Sequence, residues 1–209
     1  MKRVLLVSAL CAAAVLPAAA SGNSGPRAEK LALTPADTKA AKAATLRSSD
    51  LTPAWKGGSA KPDSSPPDCN KNFSAFTITG VAEADFTQGG AAITSTVQLF
   101  PTPRQALGDF RVDTPVGIAR CEGETLRAAV GASAKLVFAR QVTPPKVGDH
   151  AAAYDFAVSV NGVEFYIDVI NFVRGRAYGS LVTLDPGAPL PGGTLLAKLM
   201  DRRLSPSIA

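Results

Sequence analysis

The sequence predicts an α+β fold, a single antiparallel sheet of about six strands with helices packed on one face. Three observations support this class. Apolar residues recur at helical spacing in three segments, and residues of high strand propensity are concentrated in about six others. Hairpin-length connections make the later strands antiparallel. The predicted order of elements is therefore α-ββ-α-ββββ-α.

The first helix is predicted over residues 34–47. Thr34 is a typical N-cap residue, Pro35 suits the first helical position, and Asp37 places an acid in the first turn. A Pro/Ser-rich loop is predicted to follow over residues 57–68, where no periodic pattern is visible.

The rest of the chain alternates between strand and helix patterns. Pro115 is expected to break or restart the second helical region, and Asn161-Gly162 predicts a two-residue type I′ turn. The predicted strands are residues 76–86, 91–100, 134–142, 151–160, 163–173 and 177–184, and the later predicted helices are residues 103–130 and 193–204.

The Asn161-Gly162 turn fixes the register of the hairpin that it joins. With Val160 opposite Val163, one face of the hairpin is wholly apolar and is expected to be the core face under the helices. The other face then places Asp155 directly opposite Asp168. Like charges at such a position need a cation, a shared proton or solvent.

The face with these two aspartates is the candidate ligand site, a shallow cleft on an uncovered side of the sheet. The residues proposed for it are Asp155, Tyr166, Asp168, and Arg140 or Arg176 as a basic neighbour. A structural ion pair on a half-exposed face is the alternative and the more common case, because antiparallel sheets often have one polar face.

No catalytic apparatus is recognisable, so a non-enzymatic protein is expected. His150 is the sole histidine, and no serine lies in a Gly-x-Ser-x-Gly elbow. A hydrolase built on Asp155 and Asp168 is an alternative of lower rank. No metal or cofactor is expected, because metal ligands at workable spacing and phosphate-binding glycine motifs are lacking.

The first twenty residues have the order of a secretory signal peptide. Lys2 and Arg3 precede an apolar run over residues 4–16, and small residues follow up to Ala20, after which cleavage is expected. This run is too short to span a hydrocarbon core of about 30 Å, and no transmembrane segment is expected elsewhere. The residues before Cys11 do not match a lipobox, so a lipid anchor there is not expected.

The mature chain is expected to be a secreted or envelope-associated monomer. Residues 21–33 predict a flexible tether, residues 34–204 a single domain, and residues 205–209 a tail. Cleavage leaves Cys69 and Cys121 as a pair in an oxidising compartment, where a disulfide is expected. The net charge of +5 without basic-aromatic runs predicts no nucleic-acid partner.

The layout of the chain resembles the extracytoplasmic sensor domains of PknH-type receptor kinases and related secreted proteins and lipoproteins of high-GC Gram-positive bacteria. The features that carry the resemblance are residues 50–55 (DLTPAW), Cys69, residues 95–106 (STVQLFPTPRQA) and Cys121. It implies an α+β domain with a cleft on one face that binds an extracellular ligand. No kinase domain or membrane span is recognised in this chain, so signalling to the cytoplasm is not implied.

We therefore expect an exported, non-enzymatic ligand-binding or sensor-like domain that acts outside the cytoplasmic membrane. Its partner is expected to be a small molecule or an envelope component. The main alternative is a cell-envelope protein–protein interaction module that uses the Pro-rich loop at residues 61–68 or a free sheet edge.

Overall fold

A computed structural model describes residues 29–62, 69, 71–131 and 133–204 of the 209-residue chain. The predicted signal peptide with Cys11, the tail, and residues 63–68 of the Pro/Ser-rich loop lie outside the described residues. The described α-helices are α1 (Pro35–Ala44), α2 (Pro103–Asp113), α3 (Ile118–Val130) and α4 (Gly193–Leu204). The described strands are β1 (Lys30–Leu31), β2 (Lys56–Ala60), β3 (Thr77–Ile78), β4 (Gly80–Gln88), β5 (Ala91–Leu99), β6 (Lys135–Val142), β7 (His150–Val160), β8 (Val163–Arg174) and β9 (Ala177–Pro186). None of these described helices has the length and apolar character needed to cross a bilayer.

Seven of the described strands form one antiparallel sheet in the order β2-β4-β5-β9-β8-β7-β6. β1 and β3 form a separate parallel pair, and β1 lies inside the segment predicted as a tether. The α+β class with a large antiparallel sheet is confirmed, with seven strands where about six were expected. The additional strand, β2, is held by backbone pairing with β4. It contains Gly57 and Gly58, so its side chains show no periodic pattern from which a strand could be predicted.

Helices cover both faces of the sheet, whereas the sequence predicted them on one face. Consecutive strand residues point to opposite faces, and the neighbours Ala153 and Tyr154 belong to different core clusters. α1 and α4 pack on the Ala153 face, and α2 and α3 pack on the Tyr154 face. Asp155 and Asp168, which suggested an open face, lie on the same face of the sheet as Ala153. Ala153 and Ile170 on that face pack in the core cluster that includes α4.

The local signals at the helix boundaries are confirmed. Thr34 caps α1, because its Oγ1 accepts a hydrogen bond from the backbone N–H of Asp37 at 3.1 Å. The chain breaks between α2 and α3 at Pro115, as predicted, and Gly117 there has a φ of 85°. A left-handed residue of this kind favours glycine.

The β7–β8 hairpin has the predicted register. Val160 is paired with Val163, and Asp155 is paired with Asp168. Asn161 has a positive φ, as does the glycine after it, which a type I′ turn requires. The turn therefore fixes which residues of the hairpin point towards α2 and α3.

The predicted disulfide between Cys69 and Cys121 is confirmed, with a Cα–Cα distance of 5.8 Å. It joins the segment before β3 to α3. The two cysteines are 52 positions apart, and in the chain-entropy model a closed loop of this size stabilises the fold by about 4 kcal/mol.

Arg176 ties the β8–β9 turn to α1. Its guanidinium donates to both carboxylate oxygens of Asp37, at 2.8 and 2.6 Å, and to the carbonyl oxygen of Phe100 at 3.0 Å. These hydrogen bonds from Arg176 lower the pKa of Asp37 to about 2. The pair connects two segments that are 139 positions apart in the sequence.

Replacing Arg176 is expected to destabilise the domain. Arg176→Gln removes the two parallel bonds to Asp37, and the free energy of unfolding should fall by about 1–3 kcal/mol at pH 7. Since the pKa of Asp37 is lowered from 3.8 to about 2, this stabilisation is present above about pH 4 and is lost as the pH falls towards 2. Denaturant unfolding between pH 2 and 7 measures both effects.

The double variant Arg176→Gln/Asp37→Asn tests whether the contact is direct. A direct pair predicts that the second substitution adds little to the first. Additive losses at pH 7 would contradict it.

Candidate functional site

Asp155, Asp168 and Arg140, three of the predicted site residues, meet on strands β6, β7 and β8. The Arg140 guanidinium donates to one carboxylate oxygen of Asp155 at 3.0 and 3.2 Å. Asp168 accepts a long hydrogen bond of 3.5 Å from the hydroxyl of Thr183. Burial, followed by the charge of Asp155, raises the pKa of Asp168. The predicted like-charge pair is present, and Arg140 supplies the compensating cation.

Tyr166 and Arg176, the other two predicted residues, do not add free polar groups to this patch. The Tyr166 hydroxyl donates to Glu164 at 2.7 Å, and Arg176 lies at the β8–β9 turn, bound to Asp37. The Arg140 side chain is 63% exposed. The polar groups are bound to one another, which supports the structural interpretation of the Asp155–Asp168 pair.

A cavity of about 240 Å³ lies on the opposite face of the sheet, under α2 and α3. We call it the α2–α3 cleft. Its apolar walls come from α3 and from strands β7, β8 and β9. The wall residues are Ile118, Leu126, Phe156, Ile167, Val169 and Val182, and the polar lining residues are Lys71, Asp113, Glu122, Tyr154, Asn171, Tyr178 and Ser180.

Strand alternation explains how these residues reach one surface. On each of β7, β8 and β9 the lining residues are two positions apart, so they all point to the same face. The register places Tyr154 opposite Val169 and Asn171 opposite Ser180. The hairpin face that the sequence predicted as core is therefore also the floor of the cleft.

Lys71 joins two carboxylates at the polar end of the cleft. Its ammonium forms ion pairs with Asp113, at 2.7 Å, and with Glu122. Burial lowers the pKa of Lys71, but attraction by the two carboxylates outweighs burial and raises it overall. The side chain of Lys71 is only 10% exposed. A charged lysine between two carboxylates leaves this group of three with a net negative charge.

Asp113 connects Lys71 to the strands. Its second carboxylate oxygen accepts hydrogen bonds from Nδ2 of Asn171 at 3.1 Å and from the hydroxyl of Tyr178. Ser180 donates in turn to Oδ1 of Asn171 at 2.8 Å. Burial, followed by the charge of Asp113, raises the pKa of Tyr178 well above its usual value. Tyr178 thus keeps its proton and serves as a fixed donor to Asp113.

Tyr154 lines the cleft, and its hydroxyl is buried. The residue is 3% exposed. Thr114 forms a side-chain hydrogen bond with Tyr154 and donates its own proton to the carbonyl oxygen of Phe110 at 2.6 Å. Burial raises the pKa of Tyr154 to about 12. The phenol is therefore protonated at neutral pH and lies buried beside Thr114.

Asp109 on α2 is a second buried group without a full set of partners. It is 2% exposed, and its Oδ1 has no hydrogen-bond partner within the described part of the chain. Burial, followed by the charges of Glu29 and Asp113, raises its pKa to about 8 against the attraction of Lys71. Asp109 therefore carries a proton at neutral pH, which reduces the negative charge near the polar end.

Sequence reasoning did not find the polar residues of the cleft. Tyr154 was predicted as a core residue, whereas Lys71 and Asp113 come from a loop and a helix end with no motif spacing between them. Asn171 offers one usable signal. It is a buried amide within the buried run from Ile170 to Val173 on β8, and a buried amide needs partners.

Asp109→Asn is expected to stabilise the protein at and above neutral pH. Between about pH 4 and pH 8 the folded state holds a proton that the unfolded chain releases, so stability falls as the pH rises through this range. Asparagine has no proton to release, so the curve of stability against pH should be flatter. One unit of pKa shift corresponds to about 1.4 kcal/mol, and the gain at pH 8 should be at least of this size.

The matched control is Asp185→Asn on β9, where the aspartate is partly exposed. Because Asp109 is intact in this variant, the fall in stability between pH 4 and pH 8, measured by denaturant unfolding, should remain. A parallel loss of stability for wild type and Asp109→Asn from pH 4 to 8 would show that Asp109 is not the protonated group.

Comparison with known proteins gives a likeness in structure but none in sequence. No known protein-family profile matches the chain, and no curated protein matches it. The extracellular domain of PknH from Mycobacterium tuberculosis is similar in structure, with a TM-score of 0.51 and 13% sequence identity, over 88% of this chain and 98% of that one. At this identity the likeness shows the fold alone.

Proposed function

We propose that the mature chain is an extracytoplasmic, non-enzymatic ligand-binding domain and that the α2–α3 cleft holds the ligand. The observation that carries the proposal is a cavity of about 240 Å³ with apolar walls and one polar end. Small-molecule sites are commonly lined by apolar side chains with a few polar groups that fix orientation. An engineered apolar cavity of about 150 Å³ binds benzene, so this cleft has room for a ring and several further atoms.

The chemistry of the polar end favours binding over turnover. Lys71 is already bound by Asp113 and Glu122, and the Tyr178 hydroxyl donates to Asp113. An activated nucleophile needs an adjacent base that is free to take its proton, and these groups instead occupy one another. His150 is exposed at the start of β7 and does not line the cleft.

Location outside the cytoplasmic membrane is supported by two features of the chain and by its structural likeness. The N-terminal pattern of Lys2, Arg3 and an apolar run is that of an export signal. The Cys69–Cys121 disulfide suits an oxidising compartment, since such bonds are rare in the cytosol. The structurally similar PknH domain is itself described as extracellular.

Fluorobenzene is expected to enter the α2–α3 cleft. Titration of the 15N-labelled protein should shift the amide NMR signals of residues that line the cleft. Val182→Phe places a phenyl ring among the wall residues and should abolish these shifts. Val163→Phe is the same change at the hairpin turn, where the valine is 48% exposed, and should leave them intact.

Leu126→Trp on α3 is a second blocking variant, to be used if Val182→Phe does not fold. Cleft signals of the folded wild type that do not respond to fluorobenzene would contradict the proposal. A response that both blocking variants retain would do the same.

Expression of the full chain in a bacterial host is expected to export a protein that begins at Ser21. Intact mass spectrometry without reductant should show loss of residues 1–20 and of the two thiol hydrogens. Ala20→Phe should prevent processing, because the residue before the cleaved bond must be small, whereas Ala19→Phe should be processed normally. A product that retains Cys11 with an attached lipid would contradict release.

A further inference from the structure

We propose that the ligand of the α2–α3 cleft is a cationic amphiphile, an amine with a positive charge on a ring-sized apolar body. The inference rests on the proposed function and adds the chemical class of the ligand. Three observations carry it: the excess of carboxylates at the polar end, an oxygen of Glu122 that Lys71 does not occupy, and the apolar side chains on either side of Glu122.

The charged residues that line the cleft leave one negative charge unbalanced. Lys71 supplies one positive charge, and Asp113 and Glu122 supply two negative charges, which gives 1 − 2 = −1. Burial, followed by the charges of Glu29 and Asp113, raises the pKa of nearby Asp109, and the attraction of the lysine does not offset them. The whole chain has a net charge of +5, so this local negative charge is specific to the cleft. A cleft of one sign with apolar walls concentrates ligands of the opposite sign.

Glu122 lies on the face of α3 that lines the cleft. Ile118, Glu122 and Leu126 are four positions apart, so their side chains lie one above the other on the same face of the helix. The carboxylate therefore stands between two aliphatic wall residues. A ligand bound there has a charged partner for its head group and apolar surface beside it for its body.

One oxygen of the Glu122 carboxylate is left for a ligand. Oε1 accepts a hydrogen bond from Lys71, and no hydrogen bond to Oε2 is found within the described residues. Asp113 is different, because its Oδ1 binds Lys71 and its Oδ2 binds side chains of β8 and β9. An ammonium at Oε2 would form a charge-assisted hydrogen bond, which is about twice as strong as one between neutral groups.

The exposure of the carboxylates limits the cost of placing a cation beside them. The side chains of Asp113 and Glu122 are 21% and 28% exposed, so a head group at this end keeps part of its water. A fully buried ion would lose this water at a cost of several kcal/mol. An anion would meet the unbalanced negative charge instead, since the charge of Lys71 is already shared by two carboxylates.

The body of the ligand is set by the apolar walls. The ring of Tyr154 stacks on that of Phe156, with centroids 6.3 Å apart, and both residues line the cleft with aliphatic residues of β8 and β9. Transfer of apolar surface from water to such walls is favourable. The volume of about 240 Å³ limits the body to a ring with a short extension.

Benzylammonium, benzyl alcohol and benzoate are three probes that share a phenyl ring and differ in the charge of the head group. NMR titration of the cleft signals at pH 7 gives a dissociation constant for each probe. Benzylammonium should bind about tenfold more tightly than benzyl alcohol, because both donate a hydrogen bond but only the first carries a charge. Benzoate should bind more weakly than benzyl alcohol.

Glu122→Gln should reduce the preference for benzylammonium over benzyl alcohol to less than about twofold. The amide has the size of the carboxylate, and its oxygen still accepts a hydrogen bond from Lys71. Glu124→Gln is the matched control on α3. It makes the same change in net charge at a side chain that is 48% exposed and paired with Arg127, and it should keep the tenfold preference.

Lys71→Gln is a second variant, to be used if Glu122→Gln does not fold. It removes the positive charge from the polar end, so the preference for benzylammonium over benzyl alcohol should rise above that of the wild type. A folded Lys71→Gln protein with a lower preference would overturn the inference.

Equal affinity of the wild type for benzylammonium and benzyl alcohol would overturn the inference, as would tighter binding of benzoate. A preference that survives Glu122→Gln, or that Glu124→Gln also removes, would do the same. In each case binding that Val182→Phe blocks would leave the proposed function standing. A wild type that binds fluorobenzene but none of the three probes would overturn the inference alone, and failure of fluorobenzene as well would overturn both.

Discussion

The polar end of the cleft depends on the Cys69–Cys121 disulfide. Cys69 stands two residues before Lys71, and Cys121 is the neighbour of Glu122 on α3. One covalent bond thus brings the ammonium to its carboxylate partners. Without that bond, the segment would need to be ordered by non-covalent contacts across a separation of 52 positions. Buried ion pairs are by themselves weak evidence of stability, so the bond and the ion pairs together are better understood as fixing the position of Lys71.

An unpaired buried polar atom lies near this same end. Oδ1 of Asp109 has no hydrogen-bond partner among the described residues. Such an atom lowers stability, and native structures contain few of them. Asp109 reduces this cost by keeping a proton, since its pKa is raised to about 8.

Much of the fold could be predicted because its signals are local. Asn161-Gly162 predicts a two-residue turn, and this turn fixes the register of the two strands that it joins. The residue pairs that the register predicted for the β7–β8 hairpin are those of the structure. β2 was missed because it pairs with β4 through its backbone, and a segment that contains Gly57 and Gly58 shows no alternation of apolar and polar side chains. The second covered face was missed because residues as small as Ala153 give little indication of what packs on them. The cleft was missed because Lys71, Asp113 and Tyr154 meet only after loop, helix and strand are assembled, and no sequence spacing encodes that meeting.

The likeness to the extracellular domain of PknH shows what a shared fold does and does not determine. At 13% identity two chains keep a common arrangement of strands and helices, for which a pattern of apolar positions is sufficient. Ligand chemistry depends instead on single side chains, and these are free to differ at such a distance.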